Sequence, residues 1–220
     1  ETLGPQHRDT LTSLDDLALL LNAQGRLHDA EPLYREALEA SRGVLGPQHP
    51  HTLTSIDGLA SLLRAQGRLE DAESLYREAL DARRATLGPA HPDTLLSVSN
   101  LASMLRAWGR LDSAEPLYRE ALEASHGTLG PAHPDTLIYV NNLATMLQAQ
   151  GRLNDAEPLY RKALDTKCAT LGPKHPGTLS SIYNLAALLQ AQGRLADAES
   201  LYREALGIKR ETLGPRHPST

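Results

Sequence analysis

The block Leu-Gly-Pro-x-His opens at Leu3, Leu45, Leu87, Leu129, Leu171 and Leu213, so the chain repeats itself every 42 residues with no insertion or deletion. A unit this short cannot bury its own apolar face, whereas stacked copies share one continuous core, and periods of this length mark solenoids and arrays. Function in such a chain belongs on a surface rather than in a single deep pocket.

Within one period the apolar residues fall at helical spacing twice. Leu11, Leu14, Leu17, Ala18 and Leu21 form one stripe, Gly25 interrupts, and Leu27, Ala30, Leu33, Tyr34, Ala37 and Leu38 form a second. Each unit is therefore expected to be a helix-turn-helix. The pairs are predicted over approximately 8–44, 50–86, 92–128, 134–170 and 176–212, with 213–220 beginning a further unit and 1–220 forming one array. The turn Ala-Gln-Gly-Arg-Leu recurs at 23–27, 65–69 and 191–195, and its glycine suits the left-handed conformation that ends a helix. Pro50, Pro92, Pro134 and Pro176 precede or open the first helices, where a missing N–H costs nothing. Pro32, Pro116 and Pro158 are expected in the first turn of the second helices, since deeper in they remove a hydrogen bond.

Composition excludes several function classes. Acidic residues number 27 against 22 basic, a net charge of -5, which argues against nucleic acid or an anionic membrane as partner. No apolar run approaches the ~20 residues that span a bilayer, and the first residues lack a secretory pattern. The single cysteine, Cys168, permits no internal disulfide and gives no zinc-finger spacing, so a reducing, cytoplasmic compartment is expected. Six of the nine histidines, His7, His49, His91, His133, His175 and His217, fall one per unit in the interhelical loop. Ligands spaced a whole repeat apart do not converge on one ion, so these are assigned to loop ordering or helix capping, and no metal or other cofactor is expected. His51 near His49 is the single close pair and is too little for a site. No phosphate loop, nucleophile elbow, His-Glu-x-x-His or Cys–His pairing is present, so no catalytic residue is assigned. Glu31, Arg35 and Glu36 with their counterparts are read as a solvated face carrying weak exposed ion pairs.

The chain resembles a tetratricopeptide repeat array of the 42-residue variety found in kinesin light chains. The resemblance covers all five complete units and rests on Leu17-Ala18, Gly25, Ala30, Tyr34 and Ala37, each recurring in every later unit, and on Asn141-Asn142-Leu143-Ala144 followed by Ala156-Glu157-Pro158-Leu159-Tyr160 and Leu171-Gly172-Pro173-Lys174-His175-Pro176. It implies an all-α, right-handed superhelical solenoid whose first helices line a concave groove, and a non-catalytic module binding a peptide or partner protein segment there, within a longer adaptor, scaffold or receptor.

One stretch of the first helix differs among the units while the packing positions hardly vary: Asp15-Asp16, Asp57-Gly58, Ser99-Asn100, Asn141-Asn142 and Tyr183-Asn184. Such variation suits a recognition face, or else these are exposed positions where any polar residue serves. Gly58, costing about 1 kcal/mol relative to Ala in a helix interior, favours the former. In the resembled family the Asn before Leu-Ala grips a peptide backbone; Asn100, Asn142 and Asn184 match it, and Ser99 and Asn141 match the neighbouring contact. Asp16 and Gly58 do not match, which leaves the first two units an acidic or bare wall. Arg83, Lys167 and Lys209 occupy a place where the family uses basic residues for acidic motifs. The lysine one turn earlier is replaced by Thr54, Leu96, Ile138 and Ser180, so acidic-peptide specificity does not carry over.

Arg64 and Arg106, with Gln148 at the same place, are either further ligand contacts or solvated helix ends. Trp108, standing where other units have Gln, is either a partner anchor or a local packing substitution. A second function class is a self-associating scaffold: the termini share one phase, Glu1-Thr2-Leu3-Gly4-Pro5 against Glu211-Thr212-Leu213-Gly214-Pro215, and uncapped apolar ends are complementary head to tail.

Overall fold

The computed structural model describes residues 8–213. Among the described residues are ten helices and no strand: α1 (Arg8–Ala23), α2 (Leu27–Val44), α3 (Pro50–Ala65), α4 (Leu69–Leu87), α5 (Pro92–Ala107), α6 (Leu111–Leu129), α7 (Pro134–Ala149), α8 (Leu153–Leu171), α9 (Pro176–Ala191) and α10 (Leu195–Leu213). They fall into two compact units, Glu1–Arg110 with α1–α5 and Leu111–Thr220 with α6–α10. His7, His217 and the two ends invoked for head-to-tail complementarity lie outside the described residues.

The helices α3, α5, α7 and α9 have identifiable start and stop signals. His49, His91, His133 and His175 are the N-caps of α3, α5, α7 and α9, where the imidazole Nδ1 accepts from the backbone N–H two residues on at 3.0–3.2 Å. This satisfies one of the orphan donors of the first turn, and a proline follows at the first helical position. At the other end Gly25 has φ +75° and its counterparts 75–82°. Gly25 N–H donates to the Asn22 carbonyl and Arg26 N–H to the Leu21 carbonyl, the paired bonds of a Schellman motif.

Alanines bring the helices together. Ala18, Ala30 and Ala37 are fully buried, as are Ala60, Ala72 and Ala79, and Tyr34, Tyr76, Tyr118 and Tyr160 are buried with them. Gly58, expected to serve recognition, has a packing reason instead: a Cβ there would stand 2.6 Å from Tyr34 Cε1.

The solvated reading of Glu31 is also corrected, whereas Arg35 is exposed and pairs with Glu31 along the helix as expected. Glu31 accepts from Gln66 Nε2 at 2.9 Å and Arg68 Nη1 at 2.8 Å in the next repeat, as well as from Arg35 on its own helix. The same clamp recurs as Glu115 with Gln150 and Arg152, and Glu157 with Gln192 and Arg194. Arg68, Arg152 and Arg194, each closing its Schellman turn, thus fasten that turn to the preceding repeat. Led by the Gln66 hydrogen bond and reinforced by Arg35 and Arg68, this environment holds the Glu31 carboxyl down to about 2, and Gln192, Arg161 and Arg194 do likewise for Glu157. Glu36 is exposed, as expected of a solvated face.

Trp108 belongs to this clamp. In place of Gln it lies under the Arg110 guanidinium, 4.9 Å from ring centroid to Cζ, while Arg110 Nη1 donates to Glu73 at 2.7 Å. A cation–π contact replaces the missing amide bond. The prolines differ from expectation: Pro32, Pro116 and Pro158 lie inside α2, α6 and α8, in the second turn, because these helices begin at Leu27, Leu111 and Leu153. Each gives up one hydrogen bond near the helix start, where burial of Ala30 and Tyr34 and their counterparts still holds the helix in place.

Candidate functional site

In the first unit, α3, α4 and α5 meet at a buried ion pair. Arg83 reaches from α4 so that Nη2 lies 2.7 Å from Asp57 Oδ2 on α3, and Nη1 donates to Ser97 Oγ on α5. Arg83 is 9 % exposed, so its charge is spent on Asp57 rather than offered to a ligand. Burial pushes the Asp57 carboxyl up, while the Arg83 hydrogen bond and charge oppose that rise. Beside the pair is a cavity of ≈ 500 Å³ with Leu53, Leu87 and Leu96 on its apolar side and Asp57, Arg83 and Asn100 on its polar side. Leu96 is 56 % exposed and Leu87 41 % exposed, so together they give the cavity a solvent-facing apolar wall.

The twelve residues singled out from the sequence are therefore sorted by the geometry. Asp57, Arg83 and Asn100 come together at this cavity, and Ser99 is buried behind it on α5. Arg64, exposed, and Arg106, half-buried, stand at the last turns of α3 and α5 and do not line it. Asp15 on α1 accepts from Ser55 Oγ at 2.7 Å with His51 Nε2 3.7 Å away, and desolvation raises its pKa. Ser41 Oγ lies 3.3 Å from His51 Nδ1. Ser41 is fully buried, so this Ser, His and Asp grouping joins the first two repeats and offers no nucleophile.

In the second unit, Asn141 Nδ2 donates to the Leu137 carbonyl one turn back at 2.9 Å. Its Oδ1 is buried without a partner, as are Oδ1 of Asp15 and of Asp57 at the same place in their repeats. Asn142 and Asn184 are half-buried on α7 and α9. Tyr183 packs its ring 6.0 Å from that of Tyr202 and receives Lys209 Nζ 4.9 Å over its face, which occupies Lys209. Gln148 accepts from the Tyr160 hydroxyl at 3.3 Å. Lys167 is half-buried, and desolvation lowers its pKa.

Sequence reasoning missed Leu87 and treated Leu96 solely as a lost lysine. The available signal was that Leu96 and Ile138 are apolar where Thr12, Thr54 and Ser180 are polar; both are more than half exposed. Among the described residues no group of three or more His, Cys, Asp or Glu side chains gathers to hold a metal ion. Burial pushes the Cys168 thiol up, away from the thiolate that a nucleophile needs. No described helix is long and apolar enough to cross a membrane.

Consecutive helix pairs joined by a glycine turn and clamped repeat to repeat define an all-α solenoid-class repeat protein of five units. The tetratricopeptide repeat family model matches at residues 9–85, 56–125, 93–169, 136–211 and 178–220, and the chain belongs to that family. No curated protein matches it. Among solved structures, a putative kinesin light chain of Podosopora anserina with nearly identical TPR-like repeats is 27% identical over 98% of this chain and 100% of its own, with a TM-score of 0.83. A point variant of that same protein is 27% identical over 96% of this chain and 99% of its own, with a TM-score of 0.84. BtubC (BKLC) from P. vanneervenii, 24% identical over 96% of this chain and 83% of its own with a TM-score of 0.78, shares the fold. Repeats of this family are in general protein–protein interaction modules.

Proposed function

We propose that this chain is a non-catalytic recognition module that binds an extended peptide or partner protein segment on the exposed faces of its first helices, in the manner of an adaptor, scaffold or receptor array working in a reducing, cytoplasmic setting. The cavity between α3, α4 and α5 is the anchor point of that reading. Its apolar wall accepts an aliphatic side chain, and the Asn100 carboxamide, which both donates and accepts, holds the peptide backbone beside it. Asn142 and Asn184 act in the same way on the second unit.

The observation that carries this reading is the neutralised Arg83 next to the exposed Leu96. With Asp57 cancelling Arg83, and the exposed Asp93 also lining the cavity, its charged groups sum to one negative charge, so the peptide it suits is aliphatic and basic rather than acidic. Selection from a peptide library on the full chain tests this. Enrichment of sequences with an aliphatic anchor, their affinity reduced about fivefold or more in Asn100→Ala, the scale of one lost hydrogen bond, is the expected result. Failure to enrich any peptide, or binding by Asn100→Ala equal to that of the wild type, overturns it.

A further inference from the structure

The net negative charge of the α3, α4 and α5 cavity is offered to a ligand by one carboxylate. Asp57 Oδ2 is held by Arg83 Nη2 at 2.7 Å, and its Oδ1 is buried, out of a ligand's reach. Asp93, at the start of α5, lines the same cavity with a side chain that is 64% exposed. His91 Nδ1, 3.8 Å from it, is the acceptor for the Asp93 N–H, so it turns a lone pair rather than a charge toward this carboxylate. Among the described residues no Lys or Arg pairs with Asp93.

Spacing along α5 puts three functions on one face. Asp93, Leu96 and Asn100 all line the cavity and stand three and four residues apart, which on a helix makes a single stripe. The exposed leucine is thus flanked by a carboxylate on its N-terminal side and a carboxamide on the other. Helix neighbours at this spacing have Cβ atoms about 5–6 Å apart, close to the ~6.6 Å between alternate side chains of an extended peptide rising ~3.3 Å per residue. Adjacent residues of such a peptide face opposite ways. Side chains two residues apart are therefore the pair that meets Leu96 and Asp93 together.

The second unit lacks this combination. At the corresponding places stand Gly177 for Asp93 and Ser180 for Leu96, with Asn184 kept where the first unit has Asn100. Lys167 takes the place of Arg83, and Asn141 takes that of the aspartate that neutralises it. A basic side chain finds its carboxylate and its apolar neighbour on the first unit alone.

We propose that Asp93 is the specificity-determining residue of the cavity: it pairs with a Lys or Arg of the partner segment two residues from the aliphatic side chain seated against Leu87 and Leu96, and so directs that segment to the first unit. This role rests on the peptide-binding reading of the cavity, to which it adds a spacing and a location.

A peptide library with one fixed Leu and randomised neighbours, selected in parallel on the full wild-type chain, Asp93→Lys and Leu96→Asp, tests it. Asp93 is exposed and its place holds His51, Asp135 and Gly177 in α3, α7 and α9, so Asp93→Lys keeps the fold, a point checked by circular dichroism. The wild type enriches Lys or Arg two residues from the Leu, and the enriched peptide binds about fivefold more weakly once that residue is changed to Glu, the scale of an exposed ion pair. Asp93→Lys reverses the preference, and raised salt shrinks it in both chains. Peptides that Leu96→Asp no longer binds, but that show no basic preference at this spacing or keep it in Asp93→Lys, overturn the role of Asp93 and leave the cavity as the binding site. No enrichment on the wild type, or binding that ignores Leu96→Asp, overturns both.

Discussion

Gly58 on α3 lies directly against Tyr34 on α2, close enough that a methyl group at Gly58 would stand 2.6 Å from Cε1 and 3.2 Å from Cδ1 and Cζ of the ring. Tyr34 is 3% exposed. The equivalent of Ser61, which bonds the Tyr76 hydroxyl, is Leu19 in the first repeat, so Tyr34 lacks that anchor and packs on the bare helix backbone instead.

Gly58→Ala is therefore destabilising although Ala is the better helix former. Propensity favours Ala by about 1 kcal/mol, and overpacking costs about 1–3 kcal/mol, for a net loss. In denaturant unfolding the loss persists with Tyr34→Phe, which keeps the ring, and is relieved when Gly58→Ala is combined with Tyr34→Leu.

The clamp makes stability depend on acid pH with a definite sign. Glu31 and Glu157 are held at about 2 in the folded chain against an ordinary value of 4.5. A depressed carboxylate contributes stability that is present above the unfolded value and is lost as pH falls through the folded one, so the window runs from about 4.5 down to about 2. Asp15 and Asp57, raised by desolvation, work in the opposite direction. The difference in unfolding midpoint between wild type and Glu31→Gln isolates the clamp: it is largest at neutral pH and shrinks as pH falls below about 4.5.

Histidine capping predicts a different mutational profile. His91→Ala removes the acceptor for Asp93 N–H and lowers stability by about 1 kcal/mol, whereas His91→Asp, a good N-cap, keeps most of it. Thermal unfolding of the two variants beside wild type distinguishes a cap from a surface loop residue, where both changes would be silent.

Trp108 is the sole tryptophan, so its emission reports on one joint. Arg110→Ala removes the guanidinium over its ring and the bond to Glu73, and shifts the emission while costing about 1–2 kcal/mol. Trp108→Gln, which installs the residue of the other turns, costs less because Gln supplies the donor that Gln66 gives to Glu31.

The fold was legible because its signals are local and repeated five times: two apolar stripes, a turn glycine and a proline after each capping histidine. The clamp was hidden because Glu31 and Arg68 are 37 residues apart, and spacing within one helix shows only the Glu31–Arg35 pair. Gly58 was misread for the same reason, since the ring it accommodates comes from the preceding repeat. Of the candidate site, Asn100 and Asp57 stood out by varying between units. That Arg83 is neutralised follows from a contact between α3 and α4 that no linear pattern displays, and Leu96 went unrecognised because it was read only as the loss of a lysine and not as an apolar surface in its own right.

Calorimetric titration of a library-selected peptide into wild type, Leu96→Asp and Leu20→Asp is the most direct test of recognition at the α3, α4 and α5 cavity. Both leucines are exposed by more than half, so neither change disturbs the core, and Leu20 lies outside the cavity. Affinity at least about tenfold lower for Leu96→Asp, with Leu20→Asp binding as wild type, is the predicted result. Unchanged affinity in Leu96→Asp contradicts it and moves recognition off this cavity.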